Sequence, residues 1–429
     1  MSRPIERVAV IGAGVMGSGI AQWISAHGIP VLLQDLTPEA LAKGLKSAEN
    51  IYRQGVERKI FTPVQARAGL DRISPLAQYQ TEGPQPTGPQ PTGPEPEAPE
   101  RSRRGSRRTP LPQIDMVIEA ASENLEIKRC LFAELEARTA TDTLLATNTS
   151  ALSIAAIAEG LAHPERVLGL HFFNPVHRMK LVEIIRGPRT GSEVIASALQ
   201  FAQRLEKLPV VVQDSPGFLV NRILLPYLVE AIRLFSQGVS VEALDRLMLD
   251  FGMPMGPLRL TDEIGLDVAQ DVAKDLERRL PRPAPVGETL EKMIARGWRG
   301  KKSGLGFYRF RGRKSARPNP ALASLQTRGP ASRQDAGTWR DRMVLIMVNE
   351  AARCLEEGVV ASADDVDFGM LHGTGWAPER GGLLRHADRL GAAAVVARLE
   401  TFANTVGPYF GPCELLVKMA AGNRQFHRT

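Results

Sequence analysis

Val8-Ala-Val-Ile-Gly-Ala-Gly-Val-Met-Gly17 is an apolar run that breaks into spaced glycines. Ser18 to His27 then has helical spacing, Gly28 stops the helix, and Pro30-Val-Leu-Leu-Gln34 is a second apolar run closed by Asp35. Strand, glycine turn, helix, strand is the start of a βαβ unit. Gly12 permits the tight turn, Gly14 lets a pyrophosphate approach the backbone, and Gly17 lets the helix lie close against the strand. The free N–H groups of the helix start would face the phosphates. Asp35 stands 23 residues after Gly12, where a carboxylate accepts from both ribose hydroxyls and repels a 2′-phosphate. The expected cofactor is therefore NAD rather than NADP.

Outward from this unit, residues 39–70 read as a helical pair split at Thr62-Pro63. Strands are expected at 115–120, 144–147, 167–173, 181–186 and 208–212, with helices at about 126–138, 152–160 and 191–206. This alternation predicts a doubly wound α/β domain over residues 1–213. One stretch breaks the pattern. Between Thr81 and Glu100, seven residues are Pro and three are Gly, followed by Arg101-Ser-Arg-Arg-Gly-Ser-Arg-Arg108. Such a composition cannot bury a core, so 79–110 is expected to be a disordered surface insertion.

Beyond Asp214 the strand pattern gives way to helices, and the helical part repeats itself. Glu230-Ala-Ile-Arg-Leu234, Gly238-Val239 and Asp245 recur 120 residues on as Glu350-Ala-Ala-Arg-Cys354, Gly358-Val359 and Asp365. Each copy continues through a Gly/Pro stretch to Thr261-Asp-Glu-Ile-Gly265 or Ala387-Asp-Arg-Leu-Gly391. Two tandem all-helical domains are predicted, 214–310 and 339–425, packed on each other and joined by a linker at 311–338.

At 429 residues, 43% apolar and 24% charged, the chain has an ordinary soluble composition with room for two to four domains. Dispersed basic residues and only 5% aromatics do not make a nucleic-acid platform, while a net charge of +7 suits an anionic, phosphorylated substrate. Cys130, Cys354 and Cys413 are too few and too far apart for a disulfide framework or zinc cluster, and fit a reducing compartment. The short polar start leaves no room for a signal peptide, and no apolar run is long enough to span a membrane, so the cytoplasm is expected.

Asn148-Thr-Ser150 ends one expected strand and His171-Phe-Phe-Asn174-Pro175 the next. In an open parallel sheet both motifs would face the crevice that holds the cofactor. His171 is the natural general base, because imidazole takes an alcohol proton near neutral pH. His27, His163, His177, His372, His386 and His427 read as surface or terminal residues. Glu183 follows His171 by twelve residues, a spacing that suits neighbouring strands joined by a loop, and a His–Glu pair would fix the tautomer and stabilise the imidazolium. Ser150 and Asn221 add neutral hydrogen-bonding groups for a substrate held between the domains; a helix cap and an interhelical contact are their ordinary alternatives.

These residues resemble the 3-hydroxyacyl-CoA dehydrogenase family. The likeness rests on GAGVMGSGIA (12–21), Asp35, VIEAASENLEIK (117–128), ATNTSALSI (146–154), GLHFFNPVHRMKLVEIIRG (169–187), DSPGFLVNRILLPYLVEA (214–231), PMGPLRLTDEIGLD (254–267) and GKKSGLGFY (300–308). The second helical copy is similar to the dehydrogenase portion of multifunctional fatty-acid oxidation α-subunits, without their N-terminal enoyl-CoA hydratase module. The resemblance implies a Rossmann-type domain followed by two helical domains, and NAD-dependent oxidation of (S)-3-hydroxyacyl-CoA. It also implies His171 as base oriented by Glu183, with Ser150 and Asn221 on the substrate. Met16, Asp35, Glu123, Lys128, Ser150 and Asn174 are the implied cofactor contacts. A thiolase or enoyl-CoA hydratase would be the protein partner, with the chain a monomer or part of a hetero-complex and a homodimer the alternative. Residues 407–410 hold Phe410 where the multifunctional proteins have a substrate-contacting Tyr, with Tyr409 beside it. Two other readings stand beside this one: a β-hydroxyacid or sugar-acid dehydrogenase on the same fold, and a non-catalytic partner that docks through the 79–110 arm.

Overall fold

The computed structural model describes residues 3–76, 111, 113–280, 283–311, 315–327 and 329–427. The expected insertion at 79–110 lies outside the described residues. Among those described, eight strands form one sheet: β1 (Val8–Ile11), β2 (Val31–Gln34), β3 (Ile73–Pro75), β4 (Met116–Glu119), β5 (Leu144–Thr147), β6 (Val167–Phe172), β7 (Leu181–Arg186) and β8 (Leu208–Gln213). Their order is β3-β2-β1-β4-β5-β6-β7-β8. All neighbours are parallel except β6 and β7, which run antiparallel. Strand β3 escaped the sequence reading because Ile73 is its one buried side chain, too little for a periodic signal. The helix expected over 152–160 is a single turn, Ile154–Ile157.

Strands β1, β4 and β5 are buried along their whole length, as a parallel sheet covered on both faces requires. Alternate residues feed two cores. Val8, Val10, Met116 and Ile118 pack with the helix Val15–Ala26 on one face. Ala9, Ile11, Val117 and Leu145 face the other way, into a core continuous with both helical copies.

In the helical part, Val220–Ser236 and Ala336–Glu356 pack against each other through mostly buried faces. Two ion pairs cross between them. Arg222 Nε donates to Glu350 Oε1 at 2.7 Å, and Arg342 Nε donates to Glu230 Oε1 at 2.7 Å. The two arginines and the two glutamates each stand 120 residues apart, so the contact is reciprocal, as across a two-fold axis. The repeat runs further than its sequence pattern. Asp262 accepts from the N–H groups of Phe307 and Tyr308, and Asp388 accepts from those of Phe426 and His427. The second copy thus extends past residue 425 to His427.

Two expectations need correction. The counterpart of Asp245 is Asp367, not Asp365. Asp245 accepts from Leu258 N and Arg259 N, and Asp367 from Leu384 N and Arg385 N, while Asp365 donates its own N–H to the cap residue Ser362. Val360 and Ala361 are the two extra residues that shift the register. The segment 311–338 is more than a linker. Gln326 Nε2 donates to the carbonyls of Phe235 and Val239, Leu322 and Ala331 are buried, and the helix cap Asp335 already belongs to the second copy.

Two histidines read as surface residues are largely covered. His427 is 10% exposed among Asp364, Asp367 and Asp388, and His386 is 9% exposed, edge-on to Phe251 with ring centroids 5.4 Å apart. Burial, with Arg380, Arg389 and Arg340 nearby, pushes the His386 imidazole down to about 4. The unfolded chain, with a value near 6.5, then binds more protons between these limits, so stability falls as pH drops through that window. Urea titrations at pH 7 and pH 5 should show His386→Gln sparing about 2 kcal/mol of the wild-type acid loss. Equal acid loss in both proteins would remove the assignment. No helix among the described residues is long and apolar enough to cross a membrane.

Candidate active site

The carboxyl ends of β1, β4, β5 and β6 point the same way, so the segments after them share one edge. After β1, Gly12 has φ +99°, and a Cβ there would stand 2.6 Å from the Ala120 carbonyl oxygen. A Cβ on Gly17 would run into the Gly12 carbonyl oxygen. At Gly14 a Cβ meets nothing within 4 Å, so the backbone is open to solvent where a diphosphate would approach. Gly14 caps the helix Val15–Ala26 without any side-chain acceptor, which leaves first-turn N–H groups for a ligand. Met16 is half-buried in that turn. Asp35 follows β2 and accepts from Ala13 N at 2.6 Å and Leu36 N at 2.7 Å, tying the second strand end to the glycine loop. The backbone geometry fits a dinucleotide.

The next layer comes from β4 and β5. Lys128, 2% exposed, donates to Glu119 Oε2 at 2.5 Å, and the same oxygen accepts from Thr147 Oγ1 at 2.7 Å. Glu119 Oε1 accepts from Ala121 N at 2.8 Å. A buried ion pair is tolerable because all its partners are present. The Lys128 ammonium also stands 3.8 Å from Glu123 Oε2. Glu123 Oε1 in turn accepts from Thr149 Oγ1 at 2.6 Å and Ser150 N at 2.8 Å. The Ser150 hydroxyl makes no hydrogen bond among the described residues. Sequence reasoning named Glu123 and Lys128 but missed Glu119, Thr147 and Thr149, which join them to Ser150. A carboxylate ending the apolar run Met116–Glu119 was the available signal.

His171 and Glu183 face each other in the antiparallel register of β6 and β7. His171 Nδ1 is 2.7 Å from Glu183 Oε2, with the two residues 5% and 0% exposed. Glu183 Oε1 accepts two further bonds, from Leu219 N at 3.0 Å and Val220 N at 2.9 Å, at the start of the helix Val220–Ser236. The carboxylate therefore links the sheet, the imidazole and the first helical copy. Phe218 reaches this turn with φ +55°, a conformation a bulky side chain seldom adopts, so the surrounding fold must impose it. Phe173 and Phe218 flank the imidazole, with ring centroids at 4.6 and 5.8 Å. A carboxylate at Nδ1 favours, in the neutral ring, the tautomer with the proton on Nδ1 and the lone pair on Nε2. Nε2 makes no hydrogen bond among the described residues.

At the start of the first helical copy, Asn221 Nδ2 donates to the Ser150 carbonyl at 3.2 Å. Arg279 Nη1 reaches the next carbonyl, Ala151, at 2.8 Å. Thus His171, Glu183, Ser150 and Asn221 converge, and Asn174 stands exposed on the turn after β6. Tyr409 donates to Glu230 Oε2 at 3.1 Å, and Phe410 is fully buried, so both aromatics belong to helix packing.

A dinucleotide cradle beside a carboxylate-held histidine, closed by a helical cap, defines a nicotinamide-dependent oxidoreductase. Residues 7–82 and 103–215 match the 3-hydroxyacyl-CoA dehydrogenase NAD-binding domain, and residues 217–310 and 338–428 match the C-terminal domain of the same family. The chain belongs to the 3-hydroxyacyl-CoA dehydrogenase family, and its cofactor is NAD. It is 36% identical over 437 residues to the fatty acid oxidation complex subunit alpha of Acinetobacter baumannii, covering 99% of this chain but 56% of that protein. Among solved structures, 3-hydroxybutyryl-CoA dehydrogenase from Escherichia coli K12 has a TM-score of 0.79 at 29% identity, covering 98% of this chain and 99% of that one. M. tuberculosis FadB2 has a TM-score of 0.63 at 32% identity, covering 72% and 100%.

Proposed function

We propose that this protein interconverts an (S)-3-hydroxyacyl-CoA and its 3-oxoacyl-CoA with NAD, in fatty-acid or related acyl-CoA metabolism. One observation carries the reading: Glu183 holds Nδ1 of His171 on one oxygen and the N–H groups of Leu219 and Val220 on the other, next to Asn221, whose amide reaches the Ser150 carbonyl. His171 Nε2 takes the C3 hydroxyl proton, and Glu183 stabilises the imidazolium that results. Bound NAD supplies the hydride acceptor. The Ser150 hydroxyl and the Asn221 amide hold the C3 oxygen and the thioester in reacting orientation. Gly12, Gly14 and Gly17 admit the diphosphate, Asp35 the adenosine ribose, and Met16, Glu123, Lys128 and Asn174 complete the cofactor's surroundings, Lys128 by holding Glu119 and Glu123. The acyl-CoA enters between the α/β and helical parts.

The likeness to subunits of fatty acid oxidation complexes supports a thiolase or enoyl-CoA hydratase as partner. The reciprocal packing of the two helical copies supports a chain that is monomeric or enters a hetero-complex. A panel of 3-oxoacyl-CoA thioesters of increasing chain length, followed by NADH absorbance, tests the reading. NADH oxidation should depend on the thioester, with NADPH a much poorer donor. Turnover of free hydroxy acids without any thioester reaction would overturn it in favour of a β-hydroxyacid dehydrogenase.

A further inference from the structure

The two reciprocal ion pairs are alike in chemistry but not in position. Arg342–Glu230 has Gln334 and Tyr409 as its further hydrogen-bond partners, both outside the α/β part, and Glu230 lies nine residues, or about 13 Å of helix rise, beyond Asn221. Arg222 is the residue next to Asn221. Its Nη1 donates to Ser215 Oγ at 2.8 Å and to Glu357 Oε2 at 2.7 Å, while its Nε holds Glu350. Ser215 opens the turn 215–219 whose end presents Leu219 N and Val220 N to Glu183.

A second set of contacts grips the same turn. Gln213 N, at the end of β8, donates to the Val359 carbonyl of the second copy at 2.8 Å. On the helix Ala363–Thr374, a Cβ at Gly369 would lie 2.7 Å from Leu219 Cδ2, and one at Gly373 would lie 3.0 Å from Val220 Cγ2. Two glycines one helical turn apart therefore let this helix seat directly on the residues that hold the carboxylate. Ser240 and Ser362 cap the equivalent helices of the two copies. Aligned from those caps, the first copy has Leu247 and Phe251 at the glycine positions, so it could not seat there.

We propose that the second helical copy is a working part of the active site. Glu350 and Glu357 act through Arg222, and Gly369 and Gly373 through Leu219 and Val220, to fix the turn on which Glu183 orients His171 and Asn221 meets Ser150. All are positioning residues; none needs to touch substrate. The inference rests on the proposed activity, but it has a readout of its own.

Glu350→Gln and its symmetry mate Glu230→Gln are compared in the full chain, with acetoacetyl-CoA and NADH. Glu350→Gln should lower kcat roughly ten- to a hundredfold, the penalty of a slightly misplaced reacting group, with KM for NADH within about twofold. Glu230→Gln should keep kcat within about twofold. Amide exchange at Leu219 and Val220 should accelerate only in Glu350→Gln. Should that variant not fold, the half-exposed Glu357→Gln replaces it, with the same pattern at smaller size. Equal changes in the two mates, in turnover or in exchange, would overturn the inference. A wild type inactive on every thioester would instead remove the functional reading, and the exchange rates would still decide the role of the second copy.

Discussion

His171→Gln should lower kcat for acetoacetyl-CoA reduction by roughly 10²- to 10⁴-fold, the usual worth of a positioned general acid or base. Glutamine fills much the same space and can still hydrogen-bond Glu183, but its amide neither takes nor gives a proton at neutral pH. NADH binding, read by fluorescence titration, should stay within about twofold, because the hydrogen bonds that hold Asp35 to the glycine loop do not involve residue 171. Thermal unfolding should shift by about 1–3 kcal/mol, the cost of weakening one buried hydrogen bond to a charge. Wild-type turnover in this variant would end the assignment of the base.

Glu183→Gln should be nearly as damaging, by a different route. The carboxylate accepts on both oxygens, one from the imidazole and one from two backbone N–H groups. An amide has one accepting end. If its oxygen keeps Leu219 N and Val220 N, its NH₂ faces Nδ1 and forces the other tautomer, in which Nε2 bears the proton and cannot act as base. If it turns over, two N–H groups at the start of the helix Val220–Ser236 face a donor. The first arrangement should cost about 10³–10⁴ in kcat, as wrong-tautomer substitutions do. The second adds about 1–3 kcal/mol of lost stability for each stranded group. Kinetics and urea titration of one preparation separate them. A variant that retained both rate and stability would show that Glu183 neither orients the ring nor anchors the helix.

Much of the cradle was legible because it is built from local chemistry. Gly12, Gly14 and Gly17 follow a strand and open a helix, and each position has a reason that lies within a few residues of it. His171 could be singled out because it ends a strand of the correct sense. The Glu183 pairing was suggested by spacing, but nothing in the sequence says that β6 and β7 run antiparallel, and that register puts the two side chains opposite each other. Lys128 shows the opposite situation. Its identity could be named from resemblance, yet its partner Glu119 sits in an apolar strand and becomes visible only when the helix Leu125–Arg138 packs back over β4.

The helical repeat divides the same way. Motif spacing showed that there were two copies, but two extra residues shifted the register, so Asp367 rather than Asp365 takes the place of Asp245. By itself the sequence determined most of the element types, the dinucleotide turn, the duplication and which histidine is proposed to react. Periodicity, turn preference and charge placement act over a few residues and are written directly in the chain. Only the tertiary structure decided that Arg222 meets Glu350, 128 positions away, and that Glu183 grips the start of the first helical copy. Which distant buried charges pair depends on which faces are removed from water together, and that is a property of the packed whole.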